Sequence, residues 1–397
     1  LVILALAPTM FFSAVSCSYR GFFNGHADMS PTAVSQVIEQ FLNVTLSLLF
    51  AILLKPKGIV WACAGATVGT TLGSLGSALY LKLIYRHGRD PYVIPIALNS
   101  VIVYGGDIVD LWNTESRLLA SGLSKYNAEV QFGILSKYTT LLNVPLAITS
   151  AMYIAVMPFF SKSIALHDYE QLRRHIDSAY RTSLTISVPA AFGLAVLSRP
   201  VFLLLFSESY VSGWNLMVIG SVVVILVSIV QIQTGIMQAI NKTALSTIAM
   251  VAGIFAKILI NYFLISIPSV NIKGAVIGTI VCYIIAIYIN SRNIRKYIPV
   301  TISFKRFLGR PVVASSLMAA AAWASHVLID FLLGHILGVY LSNALATIIS
   351  VLLGVAVYGL MMIRTGGITI KDLDTIPGGR RIKSILPKSV LKMAGTK

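Results

Sequence analysis

The chain has 397 residues, of which 56% are apolar and 11% charged, with a mean hydropathy of +0.83. Fourteen acids and 31 bases cannot cover a soluble domain of this size, in which about a quarter of the residues would be charged. Composition therefore excludes a soluble globular enzyme, a disordered chain and a disulfide scaffold, and it predicts an all-α polytopic membrane protein whose net charge of +17 must be explained by where the bases lie.

A membrane-spanning helix needs about 20 mostly apolar residues. Taken in chain order, eleven segments qualify: 1–19, 31–54, 58–81, 91–114, 138–161, 182–205, 209–236, 243–268, 274–291, 311–333 and 336–363. The first ends on Arg20-Gly21 and lacks the basic n-region of a signal peptide. The second carries Glu39 and Asn43. The fourth carries Asp107 and Asp110, which share one helix face at i and i+3, and Arg117 follows it. Between the fifth and sixth, residues 166–181 alternate charge with Leu, Ile and Tyr and read as an amphipathic helix on the membrane surface. The eighth holds Lys257, with 14 uncharged residues before it and 15 after. A basic tail closes the chain from Lys371.

Alternating the loops across the membrane places 23 bases on the side reached after the first segment and seven on the other. The positive-inside rule makes the richer side cytoplasmic, with the C-terminus on it. The charge excess is thus a topology signal. A nucleic-acid partner would need a basic face with interleaved aromatics on a soluble domain, and none is present. Cys17, Cys63 and Cys282 all fall in spans with no CxxC or Cys/His grouping, so neither metal nor redox chemistry is implied and no cofactor is expected beyond Na⁺ or H⁺ coupling.

Segments 1–3 resemble segments 7–9. Gly65-Ala66-Thr67-Val68-Gly69-Thr70 matches Gly274-Ala275-Val276-Ile277-Gly278-Thr279, and Thr32-Ala33-Val34-Ser35 matches Thr243-Ala244-Leu245-Ser246. Asn24 and Asn241 sit in the turns ahead, with Gly21 and Gly235 at the ends of the preceding helices. Copies six spans apart face the same way, which is a parallel repeat of six-helix halves. The expected domains are then 1–85, the second half of an N-lobe; 86–300, a complete C-lobe; 301–366, two additional helices; and 367–397, a basic cytoplasmic tail. Counterparts of segments 4–6 are absent from the first half, so a parent of 14 spans is expected, with three helices lost from the N-terminus of this chain.

Tyr19-Arg20-Gly21-Phe22-Phe23-Asn24-Gly25, followed by Met29-Ser30-Pro31-Thr32-Ala33-Val34-Ser35-Gln36-Val37-Ile38-Glu39-Gln40, resembles the stage V sporulation protein B family of polysaccharide-biosynthesis transporters. Asp110, Arg117-Leu118, Gly122, Pro158 to Ser163 and Pro189 to Phe206 are similar to further stretches of the family. That family lies in the MOP flippase superfamily, with the lipid II flippases and the MATE antiporters. The resemblance implies a MOP/MATE-like two-lobe bundle in a bacterial cytoplasmic membrane, acting as a monomer on a lipid-linked glycan precursor. Asn43 stands where the family often has a base.

Charges inside spans default to functional hypotheses. Arg20, Glu39, Asn43 and Lys257 are the expected substrate-cavity residues. Arg20 suits a phosphate or a positive-inside anchor. Lys257 suits an anionic pyrophosphate or an internal partner such as Glu39. Asp107, Asp110 and Glu39 are the expected ion- or proton-coupling carboxylates. Arg117 is expected to pair with an acid near the outer face. Gln231, Gln233 and Gln238 read as helix–helix hydrogen bonders, as do Gln36 and Gln40. The expected activity is translocation of a lipid-linked cell-wall or polysaccharide precursor by alternating access, with anionic lipids held at the basic tail. An ion-coupled drug antiporter of the same fold and a non-transporting scaffold in a cell-wall complex are the alternatives. An enzyme is not expected, since no interior loop is long enough to carry a catalytic site.

Overall fold

The computed structural model describes residues 2–25, 30–85, 113–206, 212–298 and 305–366. Among them there is no strand: the elements are helices joined by short turns. α1 (Val2–Gly25), α2 (Ser30–Leu54) and α3 (Ile59–Tyr85) form a first body in which α3 packs against both of the others. The α2–α3 contact is close because Gly69 has no side chain. A Cβ there would fall inside van der Waals distance of the Ser47 backbone nitrogen. Hydroxyls then tie the pair: Ser47 Oγ donates to Ala66 O at 2.7 Å and Thr70 Oγ1 to Asn43 Oδ1 at 3.0 Å. Small residues and interhelical hydrogen bonds are how helices associate where lipid supplies no hydrophobic drive.

The second body begins with α4 (113–120) and α5 (Lys125–Ala165). α5 has 41 residues and is roughly 60 Å long at 1.5 Å per residue, so it extends past both ends of the expected span 138–161. α6 (Tyr169–Val196), α9 (Val222–Ala239) and α11 (Lys273–Tyr297) pack with it around two apolar clusters, one containing Ile134, Tyr138, Phe202 and Met217, the other Phe160, Leu172, Ile176, Tyr180 and Ile236. α8 (Trp214–Gly220) leads into α9 through Ser221. α10 (Thr243–Leu264) lies on α11, where Gly278 repeats the role of Gly69: a Cβ there would collide with Asn261 Oδ1. The repeat read in the sequence is thus a repeat of helix hairpins, α2–α3 and α10–α11, each closed by the second glycine of its G-A-x-x-G-T.

The amphipathic stretch 166–181 differs from expectation. From Tyr169 it is the first half of α6 and continuous with the span behind it. Leu172, Ile176, Ala179 and Tyr180 recur at helical spacing and are buried in the second cluster. Its apolar face therefore meets protein rather than the membrane surface. After Val196 the chain turns by 76° into α7 (Ser198–Leu205), a broken span or re-entrant segment. The hairpin of α12 (Lys305–Leu337) and α13 (Val339–Arg364) packs against α6 and α7. It supplies donors to the bent piece: Asn343 Nδ2 to Pro200 O at 3.1 Å and Tyr340 Oη to Leu204 O at 3.2 Å.

Seven of the described helices are long and apolar enough to cross a membrane, eight if the bent pair counts as one span. Helices α1 and α3 occupy the expected first and third segments, while 91–114 lies outside the described residues except for its last two. The exposed side of α2 carries Val37, Phe41, Val44, Leu48 and Ile52, each more than half exposed, which suits lipid and not water.

Candidate functional site: two polar regions on unlike bodies

Arg20 and Glu39 meet. Arg20 Nη2 donates to Glu39 Oε2 at 2.6 Å and to Ser77 Oγ at 2.8 Å, and its Nε donates to Ser35 Oγ at 2.9 Å. Ser74 Oγ donates to the other carboxylate oxygen at 3.3 Å, and Ser13 Oγ to Ser74 Oγ at 3.2 Å. Further along the same seam Thr9 and Thr71 share a hydrogen bond of 2.6 Å. The two charged side chains are 16% and 19% exposed, so the pair is desolvated on most sides yet reachable. Such a pair is held by its remaining hydrogen bonds as much as by Coulomb attraction, because both ions have lost water. Glu39 thus has Arg20, not Lys257, as its partner. The physical reason is placement: α2 packs on α3 and α1, whereas Lys257 is on α10 in the other body.

Lys257 borders a pocket of about 420 Å³ walled by α5, α9 and α11, with Ser136, Tyr138, Thr139 and Asn143 on one side and Thr279 and Tyr283 on another. Gly278 lets its stem lie close, since a Cβ there would be 3.3 Å from Lys257 Cγ. Asn43 is half-buried in the α2–α3 seam, where its Oδ1 accepts from both Ser47 and Thr70. Asp107 and Asp110 lie outside the described residues. Arg117 is stacked over the Tyr262 ring, with its guanidinium carbon 4.2 Å from the centroid, a cation–π contact. The glutamines of α9 bond across helices as read from the sequence: Gln231 to Ser150 at 2.7 Å, Gln233 to Ser291 at 2.8 Å, and Tyr153 to Gln238 at 2.6 Å.

Sequence reasoning named Arg20 and Glu39 separately and missed Ser35, Ser74 and Ser77, which join them. The signal was available: an acid inside a span needs a partner, and Ser74 and Ser77 stand one turn apart on a glycine-rich helix. A third space lies on the far side of α5. It is an apolar groove of about 620 Å³ lined by Val144, Pro145 and Ile148 of α5, Pro189 of α6, and Met318 and Val355 of the C-terminal hairpin.

Residues 1–164 match the family model described as polysaccharide biosynthesis protein. Over those residues the chain is similar to that family. The Bacillus subtilis lipid II flippase MurJ is 26% identical over 373 residues, covering 85% of this chain and 68% of the flippase. Stage V sporulation protein B of the same organism is 23% identical over 329 residues, covering 77% of this chain and 63% of that protein. Among solved structures, lipid II flippase MurJ in an inward closed conformation superimposes with a TM-score of 0.60 at 16% identity, over 91% of this chain and 72% of the other. The fold is therefore that of lipid II flippase MurJ, as the resemblance implied, and the chain is a multi-pass membrane protein.

Proposed function

We propose that the chain translocates a lipid-linked, pyrophosphate-bearing glycan precursor of the cell wall or a related polysaccharide across the cytoplasmic membrane. The observation that carries this reading is the pair of unlike spaces on either side of α5. A lipid-linked precursor is a polar, anionic head on a long hydrocarbon chain. The 420 Å³ pocket offers Lys257 among hydroxyls and an amide, and the 620 Å³ groove offers almost only carbon. Residues 142 and 143 face the first while 144 and 145 face the second, so one turn of α5 divides head from tail. Relatives described as flippases for lipid II and, in Haloferax volcanii, as a probable flippase in low-salt glycan biosynthesis support the class.

The cycle we infer is alternating access. Residues 1–85 and 86–300 act as two lobes, 301–366 as an accessory pair, and 367–397 as a basic cytoplasmic tail on anionic lipid, each base adding about 1 kcal/mol near such a surface. A ligand drives the change only by its different affinity for the two states. Lys257 attracts the anionic head, and an ion or proton on Glu39, Asp107 or Asp110 resets the cycle, with one copy sufficient. The test is leaflet distribution. Depleting the protein in its own cell should accumulate labelled precursor on the inner leaflet, and Lys257→Met should fail to restore the outer pool. Loss of drug efflux with normal precursor distribution would instead favour an antiporter.

A further inference from the structure

Two faces of the α2 helix are explained. Pro31, Ser35, Glu39, Leu42, Asn43 and Ser47 turn toward α3 and are buried or half-buried. Val37, Phe41, Val44 and Leu48 make the exposed apolar side. Gln36 and Gln40 lie at the margin of the first, where the side chains are no longer covered. At roughly 100° per residue they lie about 40° apart, beside Asn43 and Ser47, and both are exposed. Gln40 is ten residues into a 25-residue helix, about 15 Å from its start, and so stands at hydrocarbon depth.

An open carboxamide at that depth does not face lipid without cost, because hydrocarbon cannot replace its hydrogen bonds. Elsewhere this chain meets the same demand with protein: Gln231, Gln233 and Gln238 each have a hydroxyl partner on another helix. Among the described residues, Gln36 and Gln40 have no such partner. Each amide offers one acceptor and two donors, and an i, i+4 pair sets them about 6 Å apart on a rigid helix. They carry no charge, and between them the chain passes Glu39, whose charge Arg20 already neutralises.

We infer that Gln36 and Gln40 line the aqueous path and hydrogen-bond the hydroxyl and amide groups of the sugar head, giving the first lobe a neutral glycan-reading edge. The inference rests on the flippase reading and names what its head group meets on α2. Two amides suit a sugar better than a phosphate, which would favour Lys or Arg. They also set specificity, since a site built to bond hydroxyls penalises a ligand that lacks them.

The experiment has two arms on the whole chain in nanodiscs. Binding is measured for undecaprenyl-pyrophosphoryl disaccharide-pentapeptide and for undecaprenyl pyrophosphate without sugar. The Gln36→Leu/Gln40→Leu variant is expected to bind the glycolipid about tenfold more weakly and the sugar-free lipid within about twofold of the parent, with Gln36→Asn/Gln40→Asn between. Equal loss on both lipids, or loss on neither, overturns the inference. Failure of the parent to bind either lipid strikes the flippase reading, and the second arm still tests the edge. With Cys17, Cys63 and Cys282 replaced by Ala, Gln40→Cys should react with a charged, membrane-impermeant maleimide at least about tenfold faster than Phe41→Cys. Equally slow reaction would show that the edge is covered by lipid or by another helix.

Discussion

In the α2–α3 hairpin, Ser35 accepts from an arginine that also grips a carboxylate; in the α10–α11 hairpin the matching serine, Ser246, shares a 3.0 Å hydrogen bond with Thr234. With Gly21 matched to Gly235, Thr234 stands where the first body has Arg20, and at the offset of the two serines Met250 stands where it has Glu39. The glycines that set the backbone approach are kept in both, yet at the matching serines the polar chemistry is an ion pair in one and a neutral pair of hydroxyls in the other. Register has also moved. The residue under the second glycine is Ser47, fifteen positions after Thr32, in one hairpin, and Asn261, eighteen after Thr243, in the other. That is about one helical turn. Backbone approach and polar chemistry thus differ independently between the two hairpins.

The sharpest way to break this comparison is at the glycines. Gly69→Leu forces a side chain into the Ser47 backbone, which has nowhere to go, and should cost about 3 kcal/mol, read as a large fall in the apparent melting midpoint in detergent. The ion pair comes next. Arg20→Ala or Glu39→Ala leaves a part-buried charge alone and should cost about 2 kcal/mol, while the double variant should cost clearly less than the sum. An additive result in that double-mutant cycle would mean the pair contributes no coupling. Gly278→Ala meets the Asn261 carboxamide and, less closely, the Lys257 stem, side chains rather than backbone, so about 1 kcal/mol is expected. Smallest is Ser246→Ala, at about 0.5–1 kcal/mol, because removing it breaks a single neutral hydrogen bond. If Ser246→Ala cost as much as Glu39→Ala, the contrast between the bodies would fail.

Much of the fold was legible because lipid imposes a simple rule. Long apolar runs matched α2, α10 and α13 to within a few residues and α11 and α12 to within about two turns, while the run 209–236 divides at Ser221 into α8 and α9; the repeated G-A-x-x-G-T, read as a sign of matching halves, lies in two hairpins that its second glycine closes. Less legible were events decided by neighbours. Residues 166–181 have the composition of a surface helix, and only the cluster around Phe160 and Ile236 shows why their apolar face is taken by protein. The turn of 76° after Val196 carries no proline at the break itself and no glycine beside it, since the chain there reads Val196-Leu197-Ser198. For the candidate site, residue type marked Arg20, Glu39 and Lys257 correctly as unusual. It could not say that the first two would meet, nor that Lys257 would face hydroxyls of α5 and α11, because partners on different helices are set by packing and not by spacing.

The bent α6–α7 segment has a consequence for how the protein is made. The Leu204 carbonyl lies in the last turn of a short helix, and Tyr340 donates to it from 136 residues downstream. At ribosomal speeds that separation is on the order of ten seconds of synthesis. During that interval the bend is already threaded but its open carbonyl must be served by water or by the insertion machinery. The final hairpin is therefore a fastener delivered last, and a chain released before Tyr340 would lack the donor that closes the end of α7.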